Sequence, residues 1–263
     1  MGSSIQFTLI QSRDNLFVKN LRRLAQDSTA YRKQGQVWLE GDHLCRAALV
    51  RGWLPEVAVF SESFWPLVPA EWVQKARKII VLADVLFAEI SGLESPAKMG
   101  YVVPWDAGQQ VQSGVATVVL DRVQDAGNVG SILRSASAFG FKQVVALKGA
   151  AALWSQKVLR AGMGAHFGLQ LVEGITCEHV QNLQVPLIVT SSHQGELIHE
   201  AQLPWPCAWA MGHEGQGVSE VLIDIAKHRI SIAQPGGEES LNVGAAAAIC
   251  LHASSVSMLR SQV

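Results

Sequence analysis

The sequence lacks the patterns that bind metals or form disulfide frameworks. Its four cysteines lie far apart and form no CxxC pair, and its eight histidines show no HExxH or other paired-ligand spacing. Scattered cysteines of this kind are typical of ordinary thiols in a reducing compartment. We therefore expect a cytoplasmic protein that holds no metal.

An excess of charge of one sign and a long apolar run are also missing. The 263 residues carry 21 basic and 22 acidic side chains, so the average charge gives no support to nucleic-acid binding. No apolar run approaches the roughly 20 residues of a membrane span, and we expect no membrane association. The chain is 49% hydrophobic and only 16% charged, which predicts a folded core rather than disorder. Its length favours two domains.

The basic residues are nevertheless unevenly distributed. Residues 1–35 contain six of them against two acidic residues: Arg13, Lys19, Arg22, Arg23, Arg32 and Lys33 against Asp14 and Asp27. Such a segment on an otherwise neutral protein can attract a phosphate backbone. A solvated helix face is an equally good interpretation of the charge alone.

Secondary-structure signals divide the chain into two α/β parts. In the first part short strands and helices alternate, beginning with an amphipathic helix over 15–25 and including a helix near 71–77. A polar segment without periodicity follows at 107–114 and is typical of a linker. After it, continuous apolar runs such as Val115–Leu120 predict strands buried on both faces of an open, mostly parallel sheet. We expect domains over 1–106 and 115–263.

Three loops with an unusual composition follow predicted strands of the second domain, at the sheet edge where open parallel sheets bind ligands. In the first, Asn128 lies between two glycines just before a predicted helix over 131–139, which carries Arg134. The second, Gly212–Gly217, holds three glycines and a single carboxylate, Glu214. The glycines allow the backbone to approach a ligand closely.

The third loop leaves a strand at Ile232 and leads through a polar stretch to Ser240, Leu241 and Asn242, where an alanine-rich helix begins. Each loop alone permits other interpretations. The first could be a dinucleotide site, although GNVG lacks the GxGxxG spacing, or simply an asparagine helix cap beside a surface arginine. The helix after the third loop could be an ordinary core helix.

Together and in this order, the three loops closely resemble the signature motifs of the SpoU (TrmH) family of RNA ribose 2'-O-methyltransferases, which belong to the SPOUT class. The stretches SRDNLFVKNLRRL, YRKQG, VWLEGDHL and SPAKMG resemble the N-terminal extension and the small L30e-like substrate-binding domain of this family. The resemblance therefore covers essentially the whole chain. It implies a catalytic domain with a parallel sheet and a deep trefoil knot, dimerisation through the knotted region, and S-adenosylmethionine as methyl donor.

The resemblance also implies roles for individual residues. The catalytic set is Asn128, Arg134, Glu214, Ser240 and Asn242, with Arg134 at its centre. The cofactor contacts are Thr190, Gly212, Ile232 and Leu241. The candidate RNA contacts are Arg13, Asn20, Arg22, Arg23 and Arg32. One departure is Gly162, which stands where serine is usual in an RNA-facing segment of the family.

Three classes of function remain open at this point. The first is an RNA 2'-O-methyltransferase, and the N-terminal extension favours ribosomal RNA over transfer RNA as its substrate. The second is a non-catalytic RNA-binding protein of ribosome assembly, although such a protein has no evident need for Asn128, Arg134, Glu214 and Asn242 together. The third is a nucleotide-binding oxidoreductase, which the missing GxGxxG disfavours.

Overall fold

The computed structural model describes residues 6–93, 95–191, 195–236 and 240–260. The chain forms two compact units, one running to Ala107 and the other beginning at Gly108. Trp154–Arg160 belongs to the first unit, although sequence analysis assigned it to the second domain. The reason is visible at Gln156, whose buried Nε2 donates to the carbonyl oxygen of Trp38 at 2.8 Å.

The first unit contains a mixed five-stranded sheet in the order β1-β4-β3-β5-β2. Its strands are β1 (Thr8–Ile10), β2 (Gln36–Glu40), β3 (Val57–Ser61), β4 (Lys78–Leu82) and β5 (Met99–Pro104). Its helices are α1 (Leu16–Gln26), α2 (Ala30–Gln34), α3 (Asp42–Val50) and α4 (Asp84–Ile90). Strands β1, β3 and β4 run parallel, whereas β5 is antiparallel to both β2 and β3.

The predicted amphipathic helix over 15–25 is confirmed as α1. Asn15 caps it by accepting a hydrogen bond from the backbone N–H of Phe17, and the apolar stripe Val18, Leu21 and Leu24 is buried. The predicted helix near 71–77 is wrong. The connection 62–77 contains only two 3-10 turns, at Trp65–Leu67 and Ala70–Trp72, because its buried residues Trp72 and Val73 are adjacent rather than helically spaced.

The second unit contains a seven-stranded sheet in the order β10-β12-β9-β11-β6-β7-β8, in which every pairing is parallel. Its strands are β6 (Thr117–Leu120), β7 (Gln143–Leu147), β8 (Gln170–Ile175), β9 (Leu187–Thr190), β10 (Glu196–Leu197), β11 (Ala208–Met211) and β12 (His228–Ser231). Its helices are α5 (Ala126–Ala138), α7 (Glu220–Ile225) and α8 (Val243–Arg260), while α6 (Gln156–Gly162) begins in the first unit and ends in the second. The α/β class and the parallel sheet are thus confirmed.

Helix α8 is long and apolar enough to cross a membrane by length and composition alone. The helix contains many small residues and a histidine, so it is not a continuous run of large apolar side chains. The buried face of α8 consists of Gly244, Ala247, Cys250, Leu251, Ser254 and Ser255. On this face Ser254 accepts a hydrogen bond from the indole Nε1 of Trp209, a buried residue of β11, at 2.8 Å. Core helices of soluble proteins meet the same length and composition criteria.

Helices α5 and α6 pack with almost no space between their backbones. A Cβ atom on Gly130 would lie 2.3 Å from the Cβ of Ala161, so only glycine is accommodated there. A Cβ atom on Gly162 would lie 2.5 Å from Cε1 of His166. The imidazole therefore occupies the space beside Gly162, the position where the family usually has serine.

The side chain of His166 is completely buried, and its Nε2 donates to the carbonyl oxygen of Leu153 at 2.9 Å. Burial lowers the pKa of His166 to about 4. We expect the free energy of unfolding to decrease by about 3 kcal/mol between pH 6.5 and pH 4, because only the unfolded chain binds the proton in this range. Urea titrations at pH 7.0, 5.5 and 4.5 measure this decrease.

The matched control is His166→Gln, which keeps an N–H donor and cannot be charged. Its stability should fall less steeply with pH than that of the wild type in the same range, whatever its stability at pH 7. Equal slopes for the two proteins would contradict the assignment to His166.

Candidate functional site

The candidate site lies at the carboxyl edge of four adjacent parallel strands, β12, β9, β11 and β6. The register pairs Thr190 with Ile230, and Met211 with Leu120, so these strands end at a common level. Gly212 follows β11 directly and Ile232 follows β12. The structure therefore brings Thr190, Gly212 and Ile232 to one edge, which is the edge where parallel sheets bind ligands.

Helix α5 begins at Ala126, five residues before the predicted start. Asp125 caps it, because its Oδ1 accepts a hydrogen bond from the backbone N–H of Asn128 at 2.7 Å. The interpretation of Asn128 as the helix cap is thus wrong. Asn128 lies in the first turn of the helix, and its side chain is free to make other contacts.

The carboxylate of Glu214 reaches across to this first turn. Its Oε1 accepts hydrogen bonds from the backbone N–H of Asp125 at 3.1 Å and from Nδ2 of Asn128 at 3.2 Å, and its Oε2 accepts from the N–H of Gln124 at 3.3 Å. Partial burial acts to raise the pKa of Glu214, but these hydrogen bonds favour the charged form and lower the pKa overall. Glu214 is therefore ionised near neutral pH.

Asn242 completes the set from the third loop. Its Nδ2 donates to Oδ1 of Asn128 at 2.9 Å, while its own Oδ1 caps α8 by accepting from the backbone N–H groups of Gly244 and Ala245 at 2.9 and 3.2 Å. Because a carboxylate only accepts, the amide of Asn128 must turn its nitrogen to Glu214 and its oxygen to Asn242. We call Glu214, Asn128 and Asn242 the polar triad.

Two glycines make this arrangement possible. A Cβ on Gly212 would lie 2.1 Å from the carbonyl carbon of Gly217, so the loop folds back on itself here. The fold-back is held by reciprocal backbone hydrogen bonds between His213 and Gly217. A Cβ on Gly244 would lie 3.4 Å from Cβ of Ser131, so α8 starts close against α5. The glycines bring the three loops within hydrogen-bonding distance.

Arg134 lies two turns into α5 with an exposed side chain. It is one turn beyond Ser131, the residue that faces Gly244, so it emerges on the face of α5 that α8 approaches. The guanidinium forms no ion pair or hydrogen bond with any described residue. Ser240 and Leu241 are likewise exposed, immediately before Asn242. Arg134 is thus available to a ligand.

A second network supports the first and was missed by sequence analysis. The buried carboxylate of Asp121 accepts from the backbone N–H of Ser219 at 2.6 Å and from Nε of Arg122 at 2.9 Å. Arg122 in turn donates to Oε1 of Gln216 at 2.8 Å. Burial acts to raise the pKa of Asp121, but these partners lower it overall. The one signal in the sequence was a carboxylate directly after a buried strand.

The five candidate RNA contacts of the first unit differ in their exposure and in their intramolecular partners. Glu89 on α4 forms ion pairs with both Arg13 and Arg22, the latter at 3.0 Å, so these two guanidinium groups have an intramolecular partner. The side chains of Arg23 and Arg32 are exposed, and Nε of Arg32 donates to the hydroxyl of Tyr31 at 3.1 Å. Asn20 is half-buried. Of the five, Arg13, Arg23 and Arg32 have exposed side chains.

No cluster of three or more His, Cys, Asp or Glu side chains that could hold a metal ion occurs in the parts of the chain that are described.

Fold and site together define an α/β protein with a polar ligand site at the carboxyl edge of a parallel sheet. Residues 116–252 match the model of the SpoU rRNA methylase family, and residues 15–100 match that of an MRM3-like substrate binding domain. The chain belongs to the SpoU family. An uncharacterized tRNA/rRNA methyltransferase of Synechocystis is 31% identical over 92% of both chains.

Two other proteins extend the comparison. The 23S rRNA (guanosine(2553)-2'-O)-methyltransferase RlmP of Bacillus subtilis is 28% identical over 92% of this chain and 97% of its own. The crystal structure of an AdoMet-bound rRNA methyltransferase from Sinorhizobium meliloti superimposes with a TM-score of 0.81, covering 95% of this chain and 98% of that one. At 24% identity the latter establishes the fold.

Proposed function

We propose that this protein transfers a methyl group from S-adenosylmethionine to a ribose 2'-hydroxyl of ribosomal RNA. The polar triad is the observation that supports this most, because it joins all three family loops into one site at the expected edge of the sheet. The name of the Bacillus subtilis relative, which specifies 2'-O-methylation of 23S rRNA, supports the reaction and the substrate class. The AdoMet-bound Sinorhizobium meliloti structure supports the cofactor.

The residues at the sheet edge fit such a cofactor. Gln234, two residues beyond Ile232, has a buried Oε1 that accepts no hydrogen bond from any described residue. A buried unpaired acceptor is costly and is satisfied by a donor such as the amino group of an adenine or of an amino acid. Thr190, Gly212, Ile232 and Leu241 would hold the cofactor through backbone groups and apolar contacts.

S-adenosylmethionine supplies an electrophilic methyl group when bound. The chain itself has to place the ribose hydroxyl in line with that group, and positioning of this kind can contribute roughly 7–11 kcal/mol. We assign this task to Arg134, whose guanidinium would orient the hydroxyl and stabilise the negative charge that develops on its oxygen. A guanidinium stays charged in proteins and does not accept the proton, which passes to a phosphate or to water.

The polar triad and Ser240 would position the reacting groups. Glu214 is anchored by two backbone N–H groups and holds the amide of Asn128 in one orientation, and Asn242 fixes the other side of that amide. The triad thereby fixes the position of the first turn of α5. Arg134 lies on the same helix, two turns further along.

The test is transfer of tritium from labelled S-adenosylmethionine into total RNA of a strain that lacks the protein, with RNA fractions separated by size. Label in ribosomal RNA that survives digestion as a 2'-O-methylated nucleoside is the expected result. Label in transfer RNA would overturn the substrate class. If neither naked RNA nor ribosomal subunits accept label although the cofactor binds, the non-catalytic RNA-binding protein becomes the better interpretation.

Arg23 and Arg32 are proposed to contact the RNA backbone. The Arg23→Ala, Arg32→Ala double variant should reduce the slope of log K against log salt by about 1.4–1.8, because each phosphate contact contributes roughly 0.7–0.9. Fluorescence anisotropy with a ribosomal RNA fragment at several salt concentrations measures this slope. Arg77→Ala removes an exposed cation elsewhere on the first unit and serves as control. An unchanged slope in the double variant contradicts the assignment.

Substitution is preferable to deleting residues 1–35, the experiment that the charge distribution alone suggests. Within that segment β1 pairs with β4, and α1 buries an apolar stripe, so the deletion would remove part of the core of the first unit. A loss of RNA binding would then report unfolding rather than a lost contact.

The family resemblance also leads us to propose a deep trefoil knot in the second unit and an L30e-like first unit. The sheet order supports the knot proposal, since β11 lies between β9 and β6, which precede it in the chain. We further propose a homodimer. Ile249 and Leu259 expose apolar surface on α8, a helix whose composition suits an interface. Sedimentation velocity over a range of concentrations tests the dimer.

A further inference from the structure

The first unit contains a cavity of about 380 Å³ that lies among its own elements and has no assigned role. One wall is formed by the connection 62–77, with Phe64, Leu67 and Trp72. The other is formed by Asp42 and Arg46 of α3 and by Lys98. Cavities of this volume are in the range that binds small molecules.

Three properties of the lining point to the ligand. The guanidinium of Arg46 stacks over the indole of Trp72, with its Cζ 5.0 Å from the ring centroid, and it forms no hydrogen bond or ion pair with the described residues. One face of the Arg46 guanidinium packs on the buried Trp72 ring. The opposite face of the guanidinium is therefore the surface on which a ligand could stack. The cationic side chain of Lys98 and the carboxylate of Asp42 complete the polar part of the lining.

The apolar rim of the cavity is exposed to solvent. Leu67 is 73% exposed, although leucine side chains gain free energy by burial. It belongs to the connection 62–77, which contains only two 3-10 turns between β3 and β4, and connections of this length are uncommon in compact domains. The connection places Phe64, Leu67 and Trp72 around the cavity.

We propose that this cavity binds one unpaired nucleotide of the RNA substrate, with its base stacked on the guanidinium of Arg46. The proposal rests on the RNA-directed function given above. Proteins read RNA sequence from unstacked bases, which pack on aromatic rings or arginine planes and form hydrogen bonds through their edges. Lys98 would meet the phosphate. The carboxylate of Asp42 accepts hydrogen bonds only, so it favours a base with an exocyclic amino group over uracil.

The experiment measures binding of the full-length protein, without S-adenosylmethionine, to single-stranded octamers of cytidine, adenosine or uridine and to a duplex of similar length. We expect cytidine and adenosine octamers to bind more tightly than the uridine octamer. Arg46→Ala should weaken binding of the single strands roughly tenfold, as the loss of one stacked base does, and leave duplex binding nearly unchanged.

Two further variants separate the cavity from general charge and from folding. Arg51→Ala removes an exposed cation at the end of α3, outside the cavity lining, and should not reproduce the effect. Leu67→Asp places a charge on the rim at an exposed position, so it should weaken single-strand binding while the melting temperature stays unchanged. Equal effects of Arg46→Ala and Arg51→Ala, equal losses for single strands and duplex, or no effect of Arg46→Ala and Leu67→Asp would each overturn the proposal.

The proposal and the methyltransferase function fail in different ways. Binding to octamers requires neither the cofactor nor the polar triad. If the protein binds single strands through Arg46 but transfers no methyl group, the proposal of a nucleotide-binding cavity stands and the proposed reaction is wrong. If Arg46→Ala and Leu67→Asp change neither methyl transfer nor octamer binding, the proposed reaction stands. The cavity then has no role in substrate recognition.

Discussion

Replacement of Arg134 by alanine is expected to lower the rate of methyl transfer by at least about a hundredfold, while the affinity for S-adenosylmethionine changes by less than about threefold. Loss of a single preorganised donor that stabilises developing negative charge typically costs about 10²–10³ in rate. Arg134 is exposed and forms no bond with the described residues, so its removal leaves the packing of α5 intact. The effect should therefore fall on the reaction and not on the fold.

Initial rates of tritium transfer measure the first quantity and calorimetry measures the second. Lys142→Ala, which removes an exposed cation at the opposite end of the sheet, should retain full activity. Arg134→Lys keeps the charge but loses the planar fork, so it should recover only part of the rate. If Arg134→Ala instead abolished cofactor binding, Arg134 would belong to the cofactor site.

Asn242→Asp should reduce methyl transfer at least about tenfold without lowering the melting temperature. The aspartate keeps the oxygen that caps α8, and a negative charge at a helix N-terminus is favourable. It cannot donate to Asn128, however, and its carboxylate faces the amide oxygen that Glu214 forces Asn128 to present. The substitution therefore breaks the polar triad while preserving the helix cap.

Asn242→Ala is the companion variant because it removes both functions. It should lose comparable activity and, in addition, about 1 kcal/mol of unfolding free energy through the missing cap. Rates of tritium transfer and urea titrations of the two variants, measured side by side, separate positioning from capping. Near-normal activity of Asn242→Asp would show that the bond between Asn242 and Asn128 does not position the reacting groups.

The parallel sheet was largely predictable from the sequence, because strands buried on both faces require continuous apolar runs. Strands β7 and β9 have the bounds predicted from the sequence, Gln143–Leu147 and Leu187–Thr190. The strands that were not predicted bury few side chains and contain no continuous apolar run. Strand β1 buries only Ile10, and β8 has only two fully buried residues. Local periodicity carries no signal in such cases, and pairing with a neighbouring strand determines the structure.

The positions of the site residues were predictable, but their contacts were not. The glycine-containing loops indicate where the backbone approaches a ligand, yet nothing in them shows that Asp125 takes the cap and leaves Asn128 to bind Glu214. The ion pairs of Glu89 with Arg13 and Arg22 likewise join residues far apart in sequence. Such pairings depend on tertiary structure, and the count of basic residues alone overstated the charge that RNA can meet.

The polar triad also has a consequence for the order in which the chain acquires activity. Its members come from α5, from the loop after β11 and from the start of α8, so its bonds span 86 and 114 residues. Contacts of such separation close only after the intervening segments have collapsed. A nascent chain in which Asn242 has not yet been synthesised contains the first two loops but not the complete polar triad. Given the proposed role of the polar triad, we expect chains that terminate before Asn242 to have no methyltransferase activity.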